Sequence, residues 1–182
     1  MKNIKKLGAL LCSACLVVSG TTIPTMADSM KVVTLGADLT DAQKNTMMKY
    51  FNVSSDQVQI LTITNQDERD HLSAYVPIEQ IGTRTVSCAY VKPTTSGGIK
   101  VRTANLNWVT CNMIATSLST SGVKNCEVVA ACPFEVSGTG ALTGIQMAYE
   151  TATGEQLDST KKELATEEMV VTGNLADEVG KN

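Results

Sequence analysis

Aromatic side chains are scarce in this chain: one Trp, four Tyr and two Phe in 182 residues. A sugar-binding face needs exposed rings to stack on, so Trp108 reads as a core residue. Histidine is scarcer still, with His71 alone. A serine hydrolase would need that one ring to reach a serine as general base. No Gly-x-Ser-x-Gly elbow presents such a serine, and His71 lies in a polar stretch beside Asp67 and Asp70, where it reads as solvated. No Asp-x-Asp-x-Asp-Gly loop occurs, so Asp67, Glu68 and Asp70 read as a solvated helix start, where acids favour the dipole, rather than a cation site. There is no cluster of Lys and Arg, which excludes a nucleic-acid interface and docking on anionic lipid. Repeats and low-complexity tracts are absent from the sequence. So is any apolar run long enough to cross a bilayer of about 30 Å.

What is present first is an amino-terminal address. Lys2, Lys5 and Lys6 precede an apolar run from Leu7 to Gly20, and Thr25-Met26-Ala27 closes the segment. That basic, apolar, small-residue order predicts a secretory signal peptide over residues 1–27, cleaved after Ala27. Cys15, after Ser13-Ala14, lies too early in the apolar run to read as a lipidation site. Without residues 1–27 the chain loses three lysines and no acid, leaving 12 basic against 18 acidic side chains. That acidity bears on solubility rather than fold. The length left suits one domain with an adequate core.

Four cysteines follow the cleavage point: Cys88, Cys111, Cys126 and Cys132. In an exported chain an even number permits two disulfides in three connectivities. Cys126 and Cys132 share one predicted strand. Six strand residues span roughly 20 Å, whereas bridged Cα atoms lie within about 7 Å. The start of the Cys111 helix should lie near the end of the Cys132 strand. The favoured bridges are therefore Cys111 with Cys132 and Cys88 with Cys126. The alternative is four buried free thiols, since cysteine is readily buried as a small apolar residue. A zinc site is disfavoured, because no Cys-x-x-Cys occurs after the leader.

Periodicity predicts the order β-α-β-α-β-β-α-β-α-α. Residues 31–35 read as a strand, and Thr40 with Gln43 as a capping box for a helix that buries Met47, Met48 and Phe51. Residues 57–64 read as a strand buried on both faces. A short charged helix follows, closed by Pro77. Residues 83–92 and 99–109 read as one long hairpin turning at Pro93 to Gly98. A change of apolar parity predicts a β-bulge near Ala104-Asn105. Then come a helix over 111–121, a buried strand over 126–132, and a helix introduced by Ser137-Gly138-Thr139-Gly140 and stopped by Gly154. A last helix over 158–179 has Leu164, Val171, Leu175 and Val179 as its apolar stripe. The expected fold class is therefore α/β of the mixed α+β kind. It is a single domain with a mixed five-stranded sheet carrying parallel pairs and one long hairpin, helices packed on it, and a C-terminal helix. The expected division is signal peptide 1–27, α/β domain 28–155 and C-terminal helical extension 156–182.

Three phrases occur together: Val32-Val33-Thr34-Leu35-Gly36-Ala37-Asp38-Leu39-Thr40, Ile81-Gly82-Thr83-Arg84, and Val136-Ser137-Gly138-Thr139-Gly140-Ala141-Leu142-Thr143-Gly144. With Ala152-Thr153-Gly154 and Val171-Thr172-Gly173, the chain resembles the YpuA-like secreted family of Gram-positive bacteria, a domain of unknown function (DUF 1002). The resemblance runs from about Lys31 to Gly180. It implies export and residence in the envelope, and it implies no established activity. It also implies that members continue further at the C-terminus with more helix. The cysteines are not part of the family's signature.

The best site candidate is the Gly-rich stretch Ser137 to Gly144. Amides at a helix start attract anions, and glycines let a ligand approach the backbone. Ligands of parallel sheets gather outside the carboxyl ends of strands. Three such ends are expected together: Gly36 to Asp38, Thr64-Asn65, and Ser137-Gly138-Thr139-Gly140. The competing reading of the Gly-rich stretch is a tight capped turn packed on the sheet. Its glycine spacing is not a dinucleotide fingerprint and it lacks a P-loop lysine, so no cofactor is expected. The function these features point to is a non-catalytic module that binds an envelope protein or small ligand. The alternatives are a secreted hydrolase using residues 137–144 as an anion or oxyanion cradle, and a scaffold whose last helix associates with another chain.

Overall fold

The structure is a computed structural model that describes residues 30–179. The expected signal peptide lies outside the described residues. Among the described residues five strands form one sheet: β1 (Val32–Gly36), β2 (Gln59–Ile63), β3 (Cys88–Pro93), β4 (Ile99–Leu106) and β5 (Cys126–Val136). Their order across the sheet is β2-β1-β3-β5-β4. β1 pairs parallel with β2, and β4 parallel with β5, while β3 runs antiparallel to both its neighbours, β1 and β5. The fold is thus a single α+β domain on a mixed five-stranded sheet.

Among the described residues six helices pack on that sheet: α1 (Asp41–Tyr50), α2 (Asn65–Leu72), α3 (Ile78–Ile81), α4 (Cys111–Thr120), α5 (Thr139–Thr153) and α6 (Ser159–Val179). The short α3 is the one element that the periodicity does not announce. α5 lies across β1 and β3. It is buried nearly all round, from Thr139 to Ala148, and its Ala141, Leu142 and Ile145 join Ile114 and Leu118 of α4 in the larger core. On the opposite face α1 seats Met47 and Phe51 against Val33, Leu35 and Ala131. Trp108 is buried in the larger core, as the scarcity of aromatic residues predicts.

The long hairpin is not formed, because β5 lies between β3 and β4. The turn that joins them is tied to the start of β5 instead. Gly98 N donates to Asn125 Oδ1 at 2.9 Å, Cys126 N to Gly98 O at 3.1 Å, and Thr94 N to Asn125 O at 3.2 Å. The alternation of β3 fits any antiparallel neighbour, and the long buried strand β5 takes the central place. The bulge does form: the β4–β5 register shifts between Ala104 and Leu106, and Asn105 has φ 58°. Asn105 Nδ2 donates to Cys132 O at 2.8 Å, which fixes the distortion.

Three further expectations are corrected. β2 is an edge strand and only half-buried, with Ile60 40% exposed. Among the described side chains of α6 the buried ones are Ala165, Thr166 and Val170, while Leu164 and Val171 are 52% and 62% exposed. α6 packs on α4, and the face it turns there carries the buried residues. Leu175 and Val179 of the expected stripe lie among the side chains outside the described ones. The disulfides are also not formed, since all four described cysteines are free thiols. Cys88 packs in the α1-side core and Cys126 in the α5-side core, so the sheet separates them. β5 leaves regular pairing with β4 after Ala131, and Cys132 Sγ donates to Val86 O at 3.3 Å. Cys111 Sγ meets Thr103 Oγ1 at 3.4 Å instead. Burial pushes the Cys88 thiol up to about 12 and Cys126 up to about 11, so both stay protonated.

Candidate functional site

The strand directions decide what meets at one edge of the sheet. β1, β2, β4 and β5 all point the same way, so their carboxyl ends share that edge. α2 begins there after β2, and α5 after β5. β3 runs the other way, so the segment leading into it, with Arg84, Thr85 and Ser87, arrives at the same edge.

Most polar groups there have local work. Thr64 caps α2 in a capping box: its hydroxyl accepts from Asp67 N at 3.2 Å, and Asp67 Oδ2 takes Thr64 N at 2.7 Å. Asn65 Oδ1 accepts from Arg69 Nε at 2.8 Å, and both side chains reach Gly82 O at 3.3 Å. Asp38 Oδ2 accepts from Thr85 N at 2.7 Å, and Arg84 Nη2 donates to Asp38 O at 3.3 Å. Gly36 ends β1, and its carbonyl accepts from Leu39 N at 3.3 Å. His71 Nδ1 is held by Asp67 O, 2.8 Å away on its own helix.

The start of α5 is built differently. Its N-cap, Gly138, has φ 98°, a left-handed backbone that an L side chain rarely adopts, and it has no side chain of its own to cap the helix. The first amides of a helix have no intrahelical acceptor. Ala141 N finds one in Ser87 Oγ, at 2.7 Å. Gly140 allows that approach: a Cβ there would stand 2.9 Å from Glu68 Oε1 and 3.0 Å from Ser87 Oγ.

Glu68 is the unusual residue. It is 1% exposed, on a helix whose other residues, Leu72 apart, are polar and not buried. Thr85 Oγ1 donates to its Oε1, and among the described residues no hydrogen-bond donor is in place for Oε2. Desolvation pushes its pKa up; the Thr139 and Thr85 hydroxyls oppose that shift, and the nearby Asp38 charge adds to it. The carboxyl therefore holds its proton to higher pH than an ordinary glutamate.

Glu68 and the α5 start line one cavity of about 260 Å³, which also takes in Arg84, Ser87 and Ser137. Ser137 Oγ donates to Gln80 O at 3.2 Å and meets Thr139 Oγ1 at 3.4 Å. Of the residues singled out from sequence, Ser137, Gly138, Thr139 and Gly140 line this cavity, whereas Gly36, Asp38, Thr64 and Asn65 do not. Sequence reasoning assigned Glu68 to a solvated helix start and missed Ser87 and Arg84. One signal was legible: Glu68 lies four residues before the buried Leu72, on the same helix face. Thr85 and Ser87, ahead of β3, and Ala89 within it also turn out to be buried, so polarity misstates which residues of that stretch are covered. No group of three or more His, Cys, Asp or Glu among the described residues is placed to hold a metal.

An α+β domain with a small polar cavity at the strand ends is the class that these observations define. The chain belongs to the family described as Protein of unknown function (DUF1002), whose model matches residues 35–182. It is 39% identical over 150 residues to the uncharacterized protein YpuA of Bacillus subtilis (strain 168). That match covers 82% of this chain and 51% of the relative, so the chain spans about half the length of the curated protein it matches. No solved structure matches it.

Proposed function

We propose that this is an exported, non-catalytic binding module of the cell envelope, whose ligand seat is the cavity between Glu68 and the start of α5. The observation that carries this reading is the buried carboxyl with one oxygen lacking a donor, set beside a helix start whose N-cap residue has no side chain to cap it. Groups that serve packing alone are normally satisfied within the fold. The leader-like residues 1–27 support export. The partner is a small ligand or a terminal group of an envelope protein, because about 260 Å³ is less than twice the ~150 Å³ that holds one benzene ring.

Binding is tested by thermal denaturation with a panel of amino acids, short peptides and sugars. At least one class should raise Tm in the wild type and not in Gly140→Ala, whose methyl group intrudes on the seat. Equal shifts in both chains would count against it. Export is tested by sequencing the amino terminus of protein recovered from the medium and envelope, which should begin at Asp28. The hydrolase reading gains no support from geometry, since His71 is held within its own helix and does not line the cavity. Separate His71→Ala and Ser137→Ala variants should show no turnover to lose on ester and peptide substrates.

A further inference from the structure

The donors around the cavity point to the chemistry of its occupant. Thr139 and Gly140 occupy the first turn of α5, where helix geometry leaves their amides without an internal acceptor. The partial positive charge of the helix start acts there as well. Ser87 Oγ accepts from Ala141 N, which leaves its own hydroxyl proton to donate elsewhere. Arg84 lines the rim from an exposed position and adds a permanent positive charge. Glu68 Oε1 is taken by the Thr85 hydroxyl, so a proton on the carboxyl belongs on Oε2, the oxygen without a partner. With Glu68 neutral, every uncommitted group named here is a donor.

We propose that the cavity binds the carboxylate group of a small organic acid or peptide terminus, seated between a protonated Glu68 and the first-turn amides of α5. The proposal rests on the ligand seat inferred above and names its substrate class. Binding is then proton-linked. A carboxylate meets a hydrogen-bond donor while Glu68 is neutral and a second buried anion once it ionises, so affinity falls as pH rises. The raised pKa of Glu68 widens the range in which the neutral form is present. The charged groups near Glu68 on other elements are Asp38, after β1, and Arg84, ahead of β3. Asp38 is committed to Thr85 N and favours the neutral form of Glu68.

The test titrates the purified ¹⁵N-labelled protein with N-acetylalanine at pH 5 and pH 8, following the Gly138, Thr139 and Gly140 amides. N-acetylalanine amide, inorganic phosphate and methylammonium are run in parallel. The expected result is saturable shifts with N-acetylalanine alone, on the order of tenfold tighter at pH 5 than at pH 8. Glu68→Gln keeps a neutral donor, so it should bind at both pH values with little difference. Arg84→Ala, at an exposed position, should bind more weakly at both with the pH dependence retained. It serves as the second variant should Glu68→Gln fail to fold. Equal binding of the amide or of phosphate, or affinity that rises with pH, overturns the carboxylate assignment. If methylammonium alone moves these amides, the seat stands and its assigned chemistry is wrong. If no probe moves them, the proposal and the seat fall together.

Discussion

Four helix starts can be set side by side. α1, α2 and α4 each begin with a threonine, Thr40, Thr64 and Thr110, whose hydroxyl accepts an amide of the first turn. α5 begins with Gly138 in a left-handed conformation and no side-chain cap. The first three are closed locally, within four residues of sequence. The fourth is closed only from a distance, by Ser87, which lies 54 residues away. Local capping makes a helix start self-sufficient, whereas closure from afar leaves it part of a shared polar site with Glu68 and Thr85.

The comparison is broken most severely at Gly140. Gly140→Val should destabilise the fold by roughly 1–3 kcal/mol or more, since even a Cβ there crowds Glu68, Ser87 and Thr85. Urea denaturation measures it, and a near-neutral result would show that the helix start is not packed as described. Next is Ser87→Ala, which strips the buried Ala141 amide of its acceptor and should cost about 1–3 kcal/mol. A local cap is worth less: Thr110→Ala or Thr40→Ala should cost about 1 kcal/mol each. If the Ser87 variant loses no more than the threonine variants, the distinction between near and distant closure has no energetic content.

The smallest effect and the most diagnostic is that of Glu68. Its folded pKa is raised, so the native state binds more protons than the unfolded chain between the ordinary glutamate pKa and the raised value. Stability must therefore fall as pH rises through that window. Glu68→Gln should remove this slope and become the more stable chain at neutral pH, by equilibrium unfolding at pH 4.5, 6 and 8. A wild-type chain that grows more stable across the window through this residue would contradict the assignment. The thiols give a check on the two sheet faces without altering stability. Iodoacetamide should reach the half-exposed Cys111 first and leave Cys88 and Cys126 until unfolding.

The legible parts share a physical trait: they are local. The capping box of Thr40 with Gln43, the bulge near Asn105 and the glycines that bound α5 all follow from neighbours in sequence. Even the meeting of three strand ends follows from short-range alternation of strand and helix. What misleads is any inference about partners. Alternation in β3 predicts an antiparallel neighbour correctly but names β4 instead of β5. The stripe read from α6 names Leu164 and Val171, because hydrophobicity alone cannot tell which face a close helix contact selects.

By itself the sequence determines a leader-like start, an alternating run of strands and helices, and a glycine-rich turn ahead of a buried helix, because each is a property of residues within a few positions of one another. Tertiary structure alone decides that β5 enters between β3 and β4, that the sheet parts Cys88 from Cys126, and that Glu68 turns from a polar helix into a cavity beside Gly140. These are contacts across long stretches of chain. They are settled by which surfaces exclude water together, and no single segment contains that information.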